Sequence, residues 1–224
     1  MEKRTFEWEG RRIWLYGAEA PTILFLQPVD AHDAELLDRE IEAMRGGTKP
    51  FALAAFQVED WDRDLSPWEA PPVFGKIPFA GKAEDTLAFV TGGLLPKLRD
   101  FLALDAMELC IGGYSLAGLF ALWAATRTDL FSGVAAASPS VWYPGWMDYV
   151  NTHLIQAKNV YLSLGDREER TKNPVMATVG DCIRALNDQL QTDHRCTLEW
   201  NPGNHFQNSE LRTAKAFRWI AARD

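Results

Sequence analysis

Short runs of apolar residues alternate along the chain with stretches whose apolar residues recur every three or four positions. Continuous apolar runs are typical of parallel strands buried on both faces, and the longer spacing is typical of helices with one buried face. The predicted strands are Arg12–Tyr16, Thr22–Gln27, Phe51–Phe56, Met107–Gly112, Gly133–Ala137, Val160–Leu164 and Arg195–Trp200. The alternation predicts an α/β fold with a mostly parallel central sheet and helices on both faces.

The helical patterns lie between these strands. Their predicted inward residues are Leu37, Ile41 and Met44; Leu87, Val90, Leu94, Leu98 and Phe101; Val175, Val179, Cys182, Leu186 and Leu190; and Leu211, Ala214 and Phe217. The glycine pair at 92–93 and Pro96 are expected to kink or split the second helix. The third is expected to begin at Asn173-Pro174, a cap residue followed by a proline suited to the first helical position. The last is expected to begin near Asn208 or Ser209.

Residues 57–82 do not fit the alternation. This stretch holds Trp61, Trp68, Phe74 and Phe79 among several prolines. Long loops inside compact α/β domains are often functional, which favours a wall of the binding site, with Trp68 in the substrate pocket. The alternative is a loop that packs its aromatic side chains on the sheet. Residues 1–224 are expected to form one domain without a large cap.

Charge and composition narrow the classes of partner. The chain has 31 acidic and 23 basic residues, a formal net charge of −8, and this sign disfavours nucleic-acid binding. The N-terminus has no apolar signal region, and no apolar stretch is long enough to cross a bilayer. These features predict a cytoplasmic protein without membrane contact. The three cysteines are far apart and form no CxxC pair, which indicates a reducing compartment.

The sequence also predicts that no metal or organic cofactor is needed. Asp60, Asp62 and Asp64 imitate the start of a calcium loop. Leu65 and Pro71, however, stand where such a loop needs glycine and a bidentate glutamate. A solvated acidic turn is the better interpretation of these aspartates.

The segment MELCIGGYSLAGLFALWAATR combines a buried strand, a Gly113-Tyr114-Ser115-Leu116-Ala117-Gly118 turn and an apolar helix. A serine on a tight strand-to-helix turn needs small residues two positions before and after it, and Gly113 and Ala117 meet that need. The turn would expose the Ser115 hydroxyl as a nucleophile and direct the Leu116 N–H at an oxyanion. The alternative is a glycine-rich turn whose serine only caps the helix.

A serine nucleophile needs a base, and four histidines are available. His205 lies in an Asn-Pro-Gly-Asn-His-Phe loop between the last predicted strand and the last helix. That place, and the chain order serine, acid, histidine, both match an α/β-hydrolase. His205 is therefore the predicted base.

The acid is expected in the Gly165-Asp166-Arg167-Glu168-Glu169 turn that follows the strand Val160–Leu164. Glu168 stands far enough past the strand to turn back towards the histidine, and Asp166 is the alternative. A second oxyanion donor is expected after the strand Thr22–Gln27, from the backbone of Val29 or Gln27, because Pro28 has no N–H.

These motifs resemble the putative esterase family of the α/β-hydrolases, which includes esterase D, mycolyltransferases and siderophore esterases. The resemblance rests on the GGYSLAGLFALWA turn and on the ASPSVWY, SLGDREE and GNHF segments. It implies Ser115, His205 and Glu168 as the catalytic triad, and it places Trp142, and with it Ser138, near the pocket. Ala117 departs from the family's second glycine.

The leading functional hypothesis is a serine esterase that cleaves small-molecule carboxylic esters through an acyl-enzyme. Acyl transfer to an alcohol would use the same residues, so the sequence does not separate the two reactions. A non-catalytic binding protein that retains the fold is the third alternative. The presence of both Ser115 and His205 argues against it.

Overall fold

The computed structural model describes residues 1–222 and contains an eight-stranded, mostly parallel sheet. Its strands are β1 (Glu2–Trp8), β2 (Arg11–Gly17), β3 (Ile23–Val29), β4 (Phe51–Gln57), β7 (Glu108–Tyr114), β8 (Gly133–Ala137), β9 (Asn159–Gly165) and β10 (Arg195–Asn201), while β5 (Glu69–Ala70) and β6 (Phe79–Ala80) form a separate ribbon. The order across the sheet is β1-β2-β4-β3-β7-β8-β9-β10. Within this sheet, as described over residues 1–222, only the β1–β2 and β2–β4 pairs are antiparallel.

Helices cover both faces of this sheet, as the sequence predicts. They are α1 (Ala31–Met44), α2 (Trp61–Asp64), α3 (Ala83–Ala88), α4 (Leu95–Leu98), α5 (Leu116–Arg127), α6 (Trp146–Val150), α7 (Val179–Leu190) and α8 (Ser209–Ile220). Side chains of α1 and α8 pack together on one face, and those of α3, α4, α5 and α7 belong to the cluster on the other face. Because nearly all of α5 is apolar and buried, it lies at the centre of its layer.

The N-terminal strand β1 is an element that the sequence patterns did not predict. It pairs with β2 through a tight hairpin in which Glu9 and Gly10 have φ of 47° and 76°. Most of β1 is exposed, because it is an edge strand, so its charged residues hide the strand pattern. Phe6 and Trp8 alone pack against the core.

Two predicted helices differ from the observed ones. The second is split by a π-helical turn over Phe89–Leu94, as its glycine pair suggested, and Phe101 lies beyond α4, 36% exposed. The third begins at Val179 instead of Asn173. The Asn173 side chain does accept backbone N–H groups, from Val175 and Met176, but it caps a short turn that precedes α7.

Candidate active site

Ser115 lies at the sharp turn between β7 and α5, at the carboxyl end of the central strands. Its backbone adopts φ 58° and ψ −121°, a conformation that costs a non-glycine residue about 1–3 kcal/mol. Neighbouring backbone hydrogen bonds hold it there. The Ser115 N–H donates to the Ala137 carbonyl over 3.0 Å, and the Ser140 N–H donates to the Ser115 carbonyl over 3.1 Å.

Small residues on both sides of Ser115 make this turn possible. A Cβ atom on Gly113 would lie 2.6 Å from the Cβ of Ala117, too close for two carbon atoms. A Cβ on Gly118 would lie 3.1 Å from the Cβ of Pro139. The packing around the turn therefore tolerates alanine at 117 and leaves room for nothing larger at 113. Leu116 begins α5, in the first turn, where N–H groups have no partner within the helix.

The structure brings Ser115, His205 and Glu168 together from three separate loops. The Ser115 Oγ lies 2.9 Å from His205 Nε2, and His205 Nδ1 lies 2.7 Å from Glu168 Oε2. With the ring proton on Nδ1, the imidazole donates to the carboxylate and accepts from the serine hydroxyl. Such an arrangement can move a proton from a serine to a histidine.

Glu168 is 8% exposed, yet its carboxylate has four hydrogen-bonding partners. Its Oε1 accepts from the Ser138 hydroxyl at 2.8 Å, the Gly165 N–H at 2.8 Å and the Arg212 guanidinium at 3.0 Å. Its Oε2 faces the His205 ring. These donors and the buried Arg212 cation offset the cost of burying the carboxylate.

Arg212, on α8, is a residue of the site that the sequence patterns missed. Its side chain is 4% exposed and also donates to the Tyr114 hydroxyl at 3.0 Å and the Pro202 carbonyl at 2.9 Å. The predicted inward residue, Leu211, is only half-buried. The available signal was periodicity, since position 212 has the spacing of a buried position of α8. A charged arginine at a buried helical position needs buried partners, which marks Arg212 as a candidate for the site.

The loop that carries His205 is held from several sides. The Tyr114 hydroxyl donates to the His205 carbonyl over 2.8 Å, and burial raises the pKa of Tyr114 to about 12, so it remains a donor. Asp166, the alternative acid, accepts the Gly203 N–H over 2.8 Å. Asp166 thus contacts the backbone of the loop, whereas Glu168 contacts the histidine ring.

Two adjoining cavities open at His205. The aromatic cavity, of about 400 Å³, is lined by Trp61, Asp62, Phe74, Phe79, Ser115, Leu116, Ser140, Trp142, Thr171, Met176, His205 and Phe206. The arginine cavity, of about 250 Å³, is lined by Ser138, Trp142, Arg167, Glu168, Arg170, Thr171, Met176, Val179, Asn204, His205 and Phe206. Trp142 and His205 line both cavities, and Ser115 lines only the aromatic one.

Residues 57–82 supply four side chains to the aromatic cavity. Trp68 is not among them. Its indole N–H donates to the Pro144 carbonyl over 2.9 Å, and its ring packs on Tyr143 and Tyr149. Since Tyr143 contacts Phe79, the structure places Trp68 one layer behind the pocket rather than in its lining.

The predicted second oxyanion donor also lies away from the cavity lining. Val29 is fully buried, and its carbonyl accepts the Val58 N–H over 2.9 Å. The Gln27 side chain faces Glu40 of α1. The part of the aromatic cavity that follows β4 is formed by Trp61 and Asp62. The assignment of Val29 as a donor stays a prediction.

Comparison with known families adds an independent observation. A family model described as "Putative esterase" matches residues 34–199, more than half of the 224-residue chain. The chain belongs to the putative esterase family. This protein is therefore a carboxylic ester hydrolase. The matched range contains Ser115 and Glu168 and ends before His205.

Solved structures support the α/β-hydrolase fold of this esterase. An IroE-like serine hydrolase from Shewanella oneidensis has a TM-score of 0.76 at 16% identity, over 100% of this chain and 82% of its own. The siderophore hydrolase EstA from Aspergillus nidulans has a TM-score of 0.71 at 18% identity, over 94% and 89%. The BES protein from Bacillus cereus has a TM-score of 0.69 at 16% identity, over 99% and 95%. A comparison with curated protein sequences finds no significant match.

Within residues 1–222 of the esterase, no three His, Cys, Asp or Glu side chains are grouped so that they could hold a metal ion. None of the helices in the same range is both long enough and apolar enough to cross a membrane.

Proposed function

We propose that this esterase cleaves carboxylic esters through an acyl-enzyme, with Ser115 as nucleophile, His205 as general base and acid, and Glu168 as the acid of the triad. The observation that carries the proposal is the continuous contact from Ser115 Oγ to His205 Nε2, at 2.9 Å, and from His205 Nδ1 to Glu168 Oε2, at 2.7 Å. Membership of an esterase family supports the same chemistry.

In the first half of the reaction, the Ser115 oxygen forms a bond to the ester carbonyl carbon while its proton passes to His205 Nε2. The bond between that carbon and the alkoxy oxygen then breaks, and His205 returns the proton to the departing alcohol. Glu168 stabilises the positively charged ring between these two transfers. The acyl group remains on Ser115.

In the second half, a water molecule gives a proton to His205 and its oxygen attacks the acyl carbon. The bond to the Ser115 oxygen breaks, the carboxylic acid leaves, and the serine regains its proton from His205. In each half the carbonyl oxygen carries a transient negative charge. We propose that the Leu116 N–H stabilises it, because this group begins α5 and Leu116 lines the aromatic cavity.

A fluorophosphonate probe tests the proposal, because it reacts only with an activated serine. We expect one labelled peptide, containing Ser115, and no labelling of the Ser115→Ala variant. The same variant should lose at least about 10⁴-fold in kcat/KM on p-nitrophenyl esters. Ser140→Ala is the matched control, since the Ser140 hydroxyl lies 3.4 Å from Ser115 Oγ and has no hydrogen bond to a histidine within residues 1–222. A folded protein that hydrolyses esters without labelling at Ser115 would contradict the mechanism.

A further inference from the structure

The two cavities that meet at His205 differ in charge. The aromatic cavity carries one ionisable side chain besides the histidine, Asp62, and is otherwise mostly apolar. The arginine cavity carries Arg167 and Arg170 at its rim. The chain as a whole has a net charge of −8, so two guanidinium groups that line one cavity are a feature to explain.

The two guanidinium groups are available to a ligand. The side chain of Arg170 makes no ion pair with any residue in the range 1–222, and Arg167 has only a loose contact, 3.9 Å, with Asp166. Glu169, their neighbour in sequence, is engaged by Arg184 at 2.9 Å. Glu168, the carboxylate that lines the cavity, already contacts Arg212 and His205.

The proposed reaction assigns a different part of the ester to each cavity. The acyl group stays bonded to Ser115, which lines only the aromatic cavity, and its carbonyl oxygen faces the Leu116 N–H there. The alcohol must receive its proton from His205, which lies between the two cavities. The space beyond that ring is the arginine cavity, so the alcohol part of the ester extends towards Arg167 and Arg170.

We propose that the arginine cavity binds a carboxylate on the alcohol part of the ester. The preferred substrates are then esters that join an apolar acid to a hydroxy acid. A carboxylate on the acyl part is disfavoured, because it would enter the aromatic cavity and face Asp62. This inference rests on the proposed function, since it uses the places of Ser115 and His205 in the reaction.

Three esters of equal acyl length test this assignment. They are the hexanoyl ester of glycolic acid, the hexanoyl ester of glycolamide, and the glycolamide monoester of adipic acid. The first has its negative charge on the alcohol, the second has none, and the third has it on the acyl chain. We expect kcat/KM for the first to exceed that of the second by about three- to tenfold, as two partly exposed ion pairs allow, and the third to be slowest.

The double variant Arg167→Gln/Arg170→Gln should bring the ratio between the first two esters to within about twofold of one. Raising the salt to about 0.5 M should reduce the wild-type ratio in the same direction, because exposed charges are screened. The matched control is Arg4→Gln/Arg45→Gln, which removes the same charge from exposed positions paired with Glu2 and Glu42. It should keep the wild-type ratio.

Equal rates for the glycolate and glycolamide esters would overturn the inference, and so would a preference that survives in Arg167→Gln/Arg170→Gln. Either result leaves the esterase mechanism in place, because the esters are still hydrolysed. A folded protein that hydrolyses none of the three esters and takes up no fluorophosphonate would instead contradict the proposed function, and the inference with it.

Discussion

Two buried glutamates, one in the turn that follows β9 and one on α1, have opposite surroundings. Glu168, beside His205, is 8% exposed, and three donors bind its Oε1. Glu40, on α1, is 3% exposed. Within residues 1–222 its carboxyl group accepts one hydrogen bond, from the Gln27 side-chain amide over 3.2 Å. Its Oε1 has no partner in that range, and neither does the Gln27 Oε1.

The nearest charged groups also differ: a cation lies beside Glu168, and acidic residues lie near Glu40. Arg212 faces Glu168, whereas burial, followed by the nearby Asp33 and Glu210, raises the pKa of Glu40 to about 8. A protonated Glu40 can donate to the Gln27 Oε1. This explains how the Oε1 atoms of both side chains can be buried together. Two carboxyl groups of similar burial can therefore be surrounded by very different donors and charges.

The largest effect is expected when Glu168 loses its charge. Glu168→Gln keeps the shape of the side chain but removes the group that orients His205 and stabilises its charged form. We expect kcat for ester hydrolysis to fall by about 10³–10⁴-fold. The control is Asp166→Asn, which alters the carboxylate on the Gly203 N–H and should cost less than about tenfold. A larger loss in Asp166→Asn than in Glu168→Gln would reverse the assignment of the acid.

Removing the cation beside Glu168 should make that site resemble the Glu40 site. Arg212→Met leaves a buried carboxylate without its ion pair, which we expect to lower the free energy of unfolding by about 3–5 kcal/mol, measured by urea denaturation. Because Arg212 lines neither cavity, the loss of activity should appear in kcat with little change in KM.

Arg212→Lys keeps the charge but loses the planar fork that reaches Glu168, Tyr114 and Pro202 together. It should fold and recover part of the lost kcat, which separates positioning of Glu168 from a general loss of stability. Wild-type kcat in a folded Arg212→Met protein would show that Glu168 does not need this cation.

The smallest effect is expected at Glu40, and its sign depends on pH. Because the pKa of Glu40 rises on folding from 4.5 to about 8, the folded state binds more protons than the unfolded state between these values. Stability contributed by this group is therefore present below about pH 4.5 and is lost as the pH rises to about 8. Glu40→Gln should leave stability at pH 5 nearly unchanged and raise it at pH 8, by about 1–3 kcal/mol.

Glu42→Gln is the control, since Glu42 is exposed on the same helix and pairs with Arg45. It should show no comparable dependence on pH. If Glu40→Gln destabilised the protein equally at both pH values, the buried carboxyl group would be needed as a hydrogen-bond partner, and the contrast with Glu168 would fail. Esterase activity should be unaffected, because Glu40 lines neither of the two cavities at His205.

Much of this molecule could be predicted from local patterns. The central strands and the apolar helix α5 follow from continuous runs that only a doubly covered sheet can bury. The Ser115 turn follows from the steric demand for small residues at 113 and 117, which the contact between Gly113 and Ala117 explains. The edge strand β1 was not predicted because most of its residues are exposed and charged. The start of α7 was placed too early because Asn173 caps a short turn that precedes the helix.

The sequence by itself therefore determined the α/β architecture and the place of the serine and histidine, because both depend on local spacing and on chain order. Only the tertiary structure decided which carboxylate contacts His205, since Asp166 and Glu168 are two residues apart and differ only in what faces them. It also decided that Arg212 completes the site and that Trp68 lies behind it. Such contacts join residues far apart in the chain, and local spacing does not specify which of them meet.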